Sequence, residues 1–330
     1  MRKPLAVGLL VLMTVPALRS LSQSPDRLGP AAGIAAEEGI LLGPVDNSRL
    51  QQDLQHRNYK DAEQMLINEI NRDPLSSRAR GLLVLLGHIF FQDGGYLNAA
   101  IAWTKADHLA PLDDSSRFTL AMADVELHRP DWARAQLRKL AAANPKVALY
   151  PYWLGRLAYD RQQYSSAIRH LTIAIQLDPD MARAYDRLGL CYDYLGHTDR
   201  AVPLFKKAVA LNRDQRHPSP WPNLDLAIAL MRQSKFVEAE AQLREALSYD
   251  ATLPQANYRL GLVLGEQGRL NEAIISLQRA ATLDPAYPEP HYALARFYKR
   301  LGQVSQAKKQ TEILKALRRS ASPLPASQSR

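Results

Sequence analysis

The chain holds one cysteine in 330 residues. Cys191 therefore has no partner for an internal disulfide, and a lone thiol inside an apolar helical pattern reads as a small packing residue, not a nucleophile. The eight histidines never stand three or four residues apart, the spacing that brings two ligands to one helical face, so a helix-borne metal site is not expected. P-loop, dinucleotide, HExxH, CxxC and GxSxG patterns are all missing, which leaves catalysis without a foothold. The chain reads as a non-enzyme without a cofactor. Scattered Asp and Glu are read as solvated surface charges.

An apolar run of the ~20 residues that suit a membrane-crossing helix is also missing. The apolar stretch that does occur, Leu5 to Val15, follows Arg2 and Lys3 and precedes Pro16 and the small pair Ser20 and Ser22. That order reads as a secretory signal over residues 1–22, with an uncleaved anchor over residues 5–18 as the alternative. Cys191 lies too far along the chain to make a lipoprotein. Removing Arg2, Lys3 and Arg19 lowers the net charge from +9 to +6, which favours acidic partners only mildly. An exported chain without a recognition motif is not expected to bind nucleic acid. The expected location is periplasmic or secreted.

What the sequence does have is a period. Ala62, Ala99, Ala133, Ala167, Ala201, Ala239, Ala273 and Ala307 are separated by 34 residues at five of seven gaps and by 37 and 38 at the others. A repeat of this length marks units that bury their apolar faces only by stacking on neighbours. With each alanine placed at position 20, the units run 43–76, 80–113, 114–147, 148–181, 182–215, 220–253, 254–287 and 288–321. Position 7 is then Leu in seven units, position 8 is Gly or Ala in the same seven, and position 24 is large and apolar in seven, including Leu66, Trp103, Leu171, Phe205 and Leu277.

At ~100° per residue, positions 4, 7, 8 and 11 share one face of a first helix, and positions 20, 24 and 27 share one face of a second. Glycine weakens a helix interior by ~0.5–1 kcal/mol relative to Ala. Gly87, Gly155, Gly189 and Gly261, each in the middle of a first helix, therefore predict a neighbour too close for a side chain. Gly94, Gly196, Gly268 and Gly302 stand where a helix ends in a left-handed residue, and Asp-Pro or Asn-Pro pairs close several units. The unit is a helix hairpin.

This pattern resembles the tetratricopeptide repeat, whose small-residue positions and terminal proline are met by Gly189, Ala201 and Ala208 and by Gly261, Ala273, Ala280 and Pro285. The resemblance covers residues 43–321 and is weakest in the first unit, where Arg49, Leu50 and Glu69 break three columns. It implies an all-α, right-handed α-solenoid of about eight hairpins, a concave groove lined by first helices, and a partner that is another protein or peptide segment. Residues 23–42 form an N-terminal segment, and residues 322–330 a polar tail expected to be disordered. Thr311 with Lys308, Lys309, Gln310 and Glu312 gives the last helix the polar face of a terminal cap.

Positions 2, 5, 9, 12 and 13 of each first helix should project away from the stack. In units 2 to 4 these include Val84, His88, Phe91, Phe118, Met122, Val125, Tyr152 and Tyr159, mostly apolar where water is expected. The covers that fit this face are intramolecular, the segment Ile34 to Leu42 or the superhelix closing on itself, or else the apolar side chains of a partner. Farther along, Arg156, Arg183, Arg187, Arg232 and Arg259 are interleaved with Tyr194, Trp221, Tyr258 and Tyr292 and with Asp160, Asp186, Asp193, Asp225, Glu266 and Glu289, and the mixed signs read as a solvated face. The exception is unit 8, where Arg296, Lys299 and Arg300 form a positive patch able to pair with a carboxylate. Lys at position 5 and Asn at position 9 followed by further Asn, Lys and Arg, the set with which some relatives grip a C-terminal carboxylate, does not recur in successive units. Trp221, after the proline-rich insertion Arg216 to Ser219, projects as a ridge or marks a local kink. The expected function is a binding scaffold in the cell envelope or outside the cell; the alternative is a substrate-presenting subunit of an envelope-biogenesis enzyme system.

Overall fold

The computed structural model describes residue 42 and residues 44–321. Residues 1–22, read above as a secretory signal, most of the segment 23–42 and residues 322–330 lie outside the described residues. Sixteen helices and no strand occur among the described residues. They divide into two compact units, residues 1–129 and 130–330.

The first unit holds α1 (Pro44–Gln55), α2 (Tyr59–Arg72), α3 (Ser77–Gln92), α4 (Tyr96–Leu109) and α5 (Asp114–Glu126). Ser76 and Asp113 cap α3 and α5, their side chains accepting from the backbone N–H of Ala79 and Ser116. The α3–α4 hairpin is closed by Gly95 N–H donating to the Phe90 carbonyl at 2.7 Å. Leu42 is buried in the same cluster as Leu82, Leu86 and Ile89, so the last residue of the segment Ile34–Leu42 does reach the core of this unit; residues 34–41 are outside the described residues.

The second unit holds α6 (Pro130–Ala143), α7 (Leu149–Asp160), α8 (Tyr164–Leu177), α9 (Ala182–Tyr194), α10 (Thr198–Arg213), α11 (Trp221–Arg232), α12 (Phe236–Tyr249), α13 (Pro254–Glu266), α14 (Leu270–Leu283), α15 (Pro288–Arg300) and α16 (Val304–Ala321). From α7 onward each odd helix pairs with the next even one, and each even helix packs on the following odd one. The odd helices of successive hairpins also touch one another, which places their free edges side by side.

The periodic columns carry this packing. Ala62, Ala99, Ala133, Ala167, Ala201, Ala239 and Ala273 are fully buried, and Ala307 at the terminal hairpin is partly so. A β-carbon on Gly87 would lie 2.7 Å from Trp103, on Gly155 2.7 Å from Leu171, on Gly189 2.7 Å from Phe205, and on Gly261 2.6 Å from Leu277. Position 8 thus lacks a side chain because position 24 of the same hairpin fills the space.

Within each unit the described hairpins turn through a left-handed residue. Gly94, Gly196, Gly268 and Gly302 have φ of 72–82°. Arg57, His128, Gln162 and Ser234 adopt the same conformation at φ of 55–59°, although a Cβ makes it strained. The hairpin geometry is strong enough to impose it.

Between α10 and α11 the insertion is clamped by one side chain. Buried Asn212 donates through Nδ2 to the Ser219 carbonyl at 2.8 Å and accepts from the Ser219 N–H at 2.9 Å. Trp221 packs against the core cluster of this unit, so it is a wedge in the stack and not a projecting ridge.

Asp124 on α5 is 2 % exposed. Burial pushes its carboxyl up to about 6, and the nearby Arg129 only partly opposes this. A raised acid is held protonated more tightly in the folded chain, so its stabilisation is complete below the ordinary value of 3.8 and is lost as the pH climbs through about 6. Asp124→Asn is expected to add about 1–3 kcal/mol of stability at neutral pH and nothing in acid. Denaturant titrations at the two extremes check this, and an equal gain at both would refute it.

Candidate functional site

The free edges of the odd helices are the surface that the repeat leaves for recognition. In the first unit that edge is closed. The imidazole Nδ1 of His88 lies 2.9 Å from the Val84 carbonyl, its ring meets Trp103 edge-on at 5.1 Å, and burial pulls its pKa down. Phe91 packs on Tyr96 at 5.3 Å and on Trp103 at 6.0 Å. Val84, His88, Phe91 and Val125 are half-buried, and Phe118 and Met122 are buried. The expectation that these side chains project is corrected to this extent: His88 and Phe91 fold back onto Trp103 of their own hairpin, and Phe118 and Met122 are buried, because large apolar side chains gain by leaving water wherever a neighbouring surface is in reach.

In the second unit the edge is built differently. Tyr152 is buried and Tyr159 half-buried. The Arg183 guanidinium lies over the Tyr152 ring at 4.7 Å, and that of Arg187 over the Tyr159 ring at 5.4 Å. Both stacks join α9 to α7. Tyr194 stacks on Tyr164 at 5.4 Å with the rings 11° apart, and meets Tyr159 edge-on at 5.8 Å. Arg232 of α11 pairs with Asp193 of α9. Further on, Arg259 covers Tyr258 at 5.5 Å, Tyr258 meets Tyr287 at 5.3 Å, and Arg296 of α15 reaches Glu266 of α13 at 3.7 Å.

This row was read from sequence as solvated charges. Arg156, Arg183, Arg187 and Arg259 instead lie on aromatic rings, an arrangement worth ~0.5–2 kcal/mol per contact according to how far it is desolvated, while Arg232 stays exposed and ion-paired as read. Burial pushes the hydroxyls of Tyr159, Tyr258 and Tyr287 up, so they stay neutral hydrogen-bonding groups. It also pushes the Cys191 thiol up to about 12, in keeping with a fully buried packing residue. Tyr164 is the member that sequence reasoning missed. It opens a second helix, and only the fold brings it under Tyr194. Tyr194 is 48 % and Tyr292 58 % exposed, and these are the aromatic rings along this edge that a partner can reach.

Arg296 is exposed beside Lys299 and Arg300, and the Arg296 and Arg300 guanidinium groups lie over Phe297 at 5.0 and 5.8 Å. No group of three or more potential metal ligands occurs among the described residues, and no described helix is long and apolar enough to cross a membrane.

Stacked antiparallel helix pairs with a shared edge of tyrosines and arginines define a helical-repeat protein of the recognition type. Models of the tetratricopeptide repeat match residues 152–216, 224–288 and 264–321, and the chain is a member of that family. Neither model describes an enzyme. The type IV pilus assembly protein PilF of Pseudomonas aeruginosa is 26 % identical over 174 residues, 52 % of this chain and 68 % of PilF. BBSome complex member BBS4 of Bos taurus is 27 % identical over 160 residues, 48 % of this chain, and the match spans only 24 % of BBS4. The solved structure of Pseudomonas aeruginosa PilF superposes with a TM-score of 0.57 at 22 % identity, over 66 % of this chain and 97 % of PilF. PilW, a widely conserved type IV pilus biogenesis factor, superposes with a TM-score of 0.55 at 20 % identity, over 62 % of this chain and 92 % of PilW. Identities this low show a common fold.

Proposed function

We propose that this chain is a non-catalytic scaffold of the cell envelope that holds a segment of a partner protein along the odd helices of its second unit, in the assembly of a filament of the type IV pilus kind. The observation that carries the proposal is the set of arginine–aromatic stacks on the odd helices, Arg183 and Arg187 of α9 on Tyr152 and Tyr159 of α7, Arg259 on Tyr258 of α13, and Arg296 and Arg300 on Phe297 of α15. It sets rigid aromatic faces and oriented guanidinium donors along one edge, the side-chain types that dominate binding surfaces. The pilus-assembly relative supports the setting, and the signal-like N-terminus supports export. Val84, His88, Phe91, Phe118, Met122 and Val125 serve in this reading as the packed support of the first unit, while Tyr159 underlies the exposed Tyr194 and Tyr152 underlies Arg183.

A photo-crosslinking residue in place of Tyr194 or Tyr292 is expected to capture a pilus subunit or assembly protein in cells that make both. The same residue at Val237 or Ile275, exposed on even helices, is expected to capture neither. Tyr194→Ser should weaken the captured complex by roughly tenfold without moving the melting temperature. Crosslinking through the even helices alone would sink the proposal, and capture of an assembly enzyme would recast the chain as its substrate-presenting subunit.

A further inference from the structure

The chain's positive charge is not spread along it. Residues 288–321 hold eight lysines and arginines against Glu289 and Glu312, which is +6 of the chain's +9. Elsewhere in the second unit, several arginines are matched: Arg161 with Asp131, Arg213 with Glu245, and Arg269 with Glu240 and Glu272. In the terminal hairpin, Arg296 reaches Glu266 and Lys315 reaches Glu312. Lys299, Arg300, Lys308, Lys309 and Arg319 are all exposed, and no described carboxylate pairs with them.

The surplus is also gathered. Lys308, Glu312, Lys315 and Arg319 recur at helical spacing on one side of α16. Lys315, hydrogen-bonded to Glu312, with Lys308 and Arg319 nearby, holds that carboxyl below its usual range. On α15, Tyr292, Arg296, Lys299 and Arg300 form a second stripe. His291 and Gln310 join the two helices, with Nδ1 to Oε1 at 2.7 Å.

We propose that the hairpin α15–α16 is a docking surface for an acidic polypeptide segment. Charge complementarity selects an anionic ligand, and the apolar side of α16 decides which kind. A helix that lies in a membrane surface must bury its apolar face in lipid. Leu314 of α16 is buried, and Ile313 and Leu317 are partly buried in the hairpin, so little apolar surface is left to insert. Exposed Tyr292 adds a flat ring within the basic stripe, which suits a peptide.

The proposal rests on the scaffold reading and shares Tyr292 of α15 with it, but its basic residues lie apart from Tyr194, so the charge reversal and Tyr194→Ser let the two fail separately. The probe is a fluorescent decapeptide of alternating Glu and Asp, titrated with the full chain and followed by anisotropy. Saturable binding is expected at about 50 mM salt, falling steeply by about 200 mM as an ionic contact requires. Replacing Lys299, Arg300, Lys308 and Lys309 together by Glu is expected to weaken binding by at least roughly tenfold, and replacing them by Gln by somewhat less. Reversing Arg138, Lys139, Lys146 and Lys207, also exposed, should leave it within about twofold. Circular dichroism checks that every variant folds. An absence of saturable binding, or equal losses from the two charge reversals, would overturn the proposal. So would preferential binding to vesicles of phosphatidylglycerol and phosphatidylcholine in equal parts. A Tyr194→Ser chain that still binds the peptide but no longer captures its partner would separate this surface from the other edge.

Discussion

Phe205→Ala is expected to destabilise the second unit by about 3–5 kcal/mol, the usual range for truncating a buried Phe. Phe205 is fully buried on α10 within a cluster that includes Leu190, Ala201, Leu226 and Ala227. Collapse cannot repair the loss, because the residue facing the ring is Gly189, whose β-carbon position lies 2.7 Å from Cε1. The cavity would therefore persist. Gly189→Leu in the parent should also destabilise, by about 1–3 kcal/mol of overpacking. Combined with Phe205→Ala, the same leucine enters space that has just been vacated. The double variant should fall short of the sum of the single losses by at least about 1 kcal/mol. Urea unfolding followed by circular dichroism measures all three, and strict additivity would mean that positions 8 and 24 do not share one volume.

Asp107→Ala is expected to cost about 3–5 kcal/mol, because it leaves a buried guanidinium without its carboxylate. Arg117 on α5 is 8 % exposed and reaches Asp107 Oδ1 at 2.7 Å, and the Leu112 N–H donates to the same oxygen at 2.8 Å. Asp107 thereby fastens the α4–α5 connection as well as the charge. The paired replacement Asp107→Leu with Arg117→Leu removes both ions and should recover much of the loss. If Asp107→Ala melts like the parent chain, the pair contributes nothing and the connection is held by backbone packing alone.

The columns at positions 8, 20 and 24 were legible because each reports a steric fact that repeats, and a fact repeated seven or eight times stands out from local noise. The turns were half legible. Gly94, Gly196, Gly268 and Gly302 announced a left-handed corner, whereas Arg57, His128, Gln162 and Ser234 carry no such mark and are forced there by the helices on either side. The aromatic edge was hidden for another reason. Helical periodicity gives the face on which a side chain starts, but not where a long one ends. Arg183 and Arg187 start on a face that reads as solvated and finish on rings of the preceding hairpin. Phe91 and His88 likewise start outward and fold back on Trp103. Asn212, Asp107 and Tyr164 were invisible because their partners are fixed by the fold and lie outside the repeating columns.

In the second unit each hairpin is held by the one before it and the one after it. A stack with only neighbour-to-neighbour grip yields to a load as a chain of small springs does, each giving a little before any of them opens. Tension arriving at the basic end would be shared backward through Arg296 and Glu266, then Arg269 and Glu240, then Arg213 and Glu245. The second unit would give way by degrees under such a load, its hairpins parting in turn and not all at once.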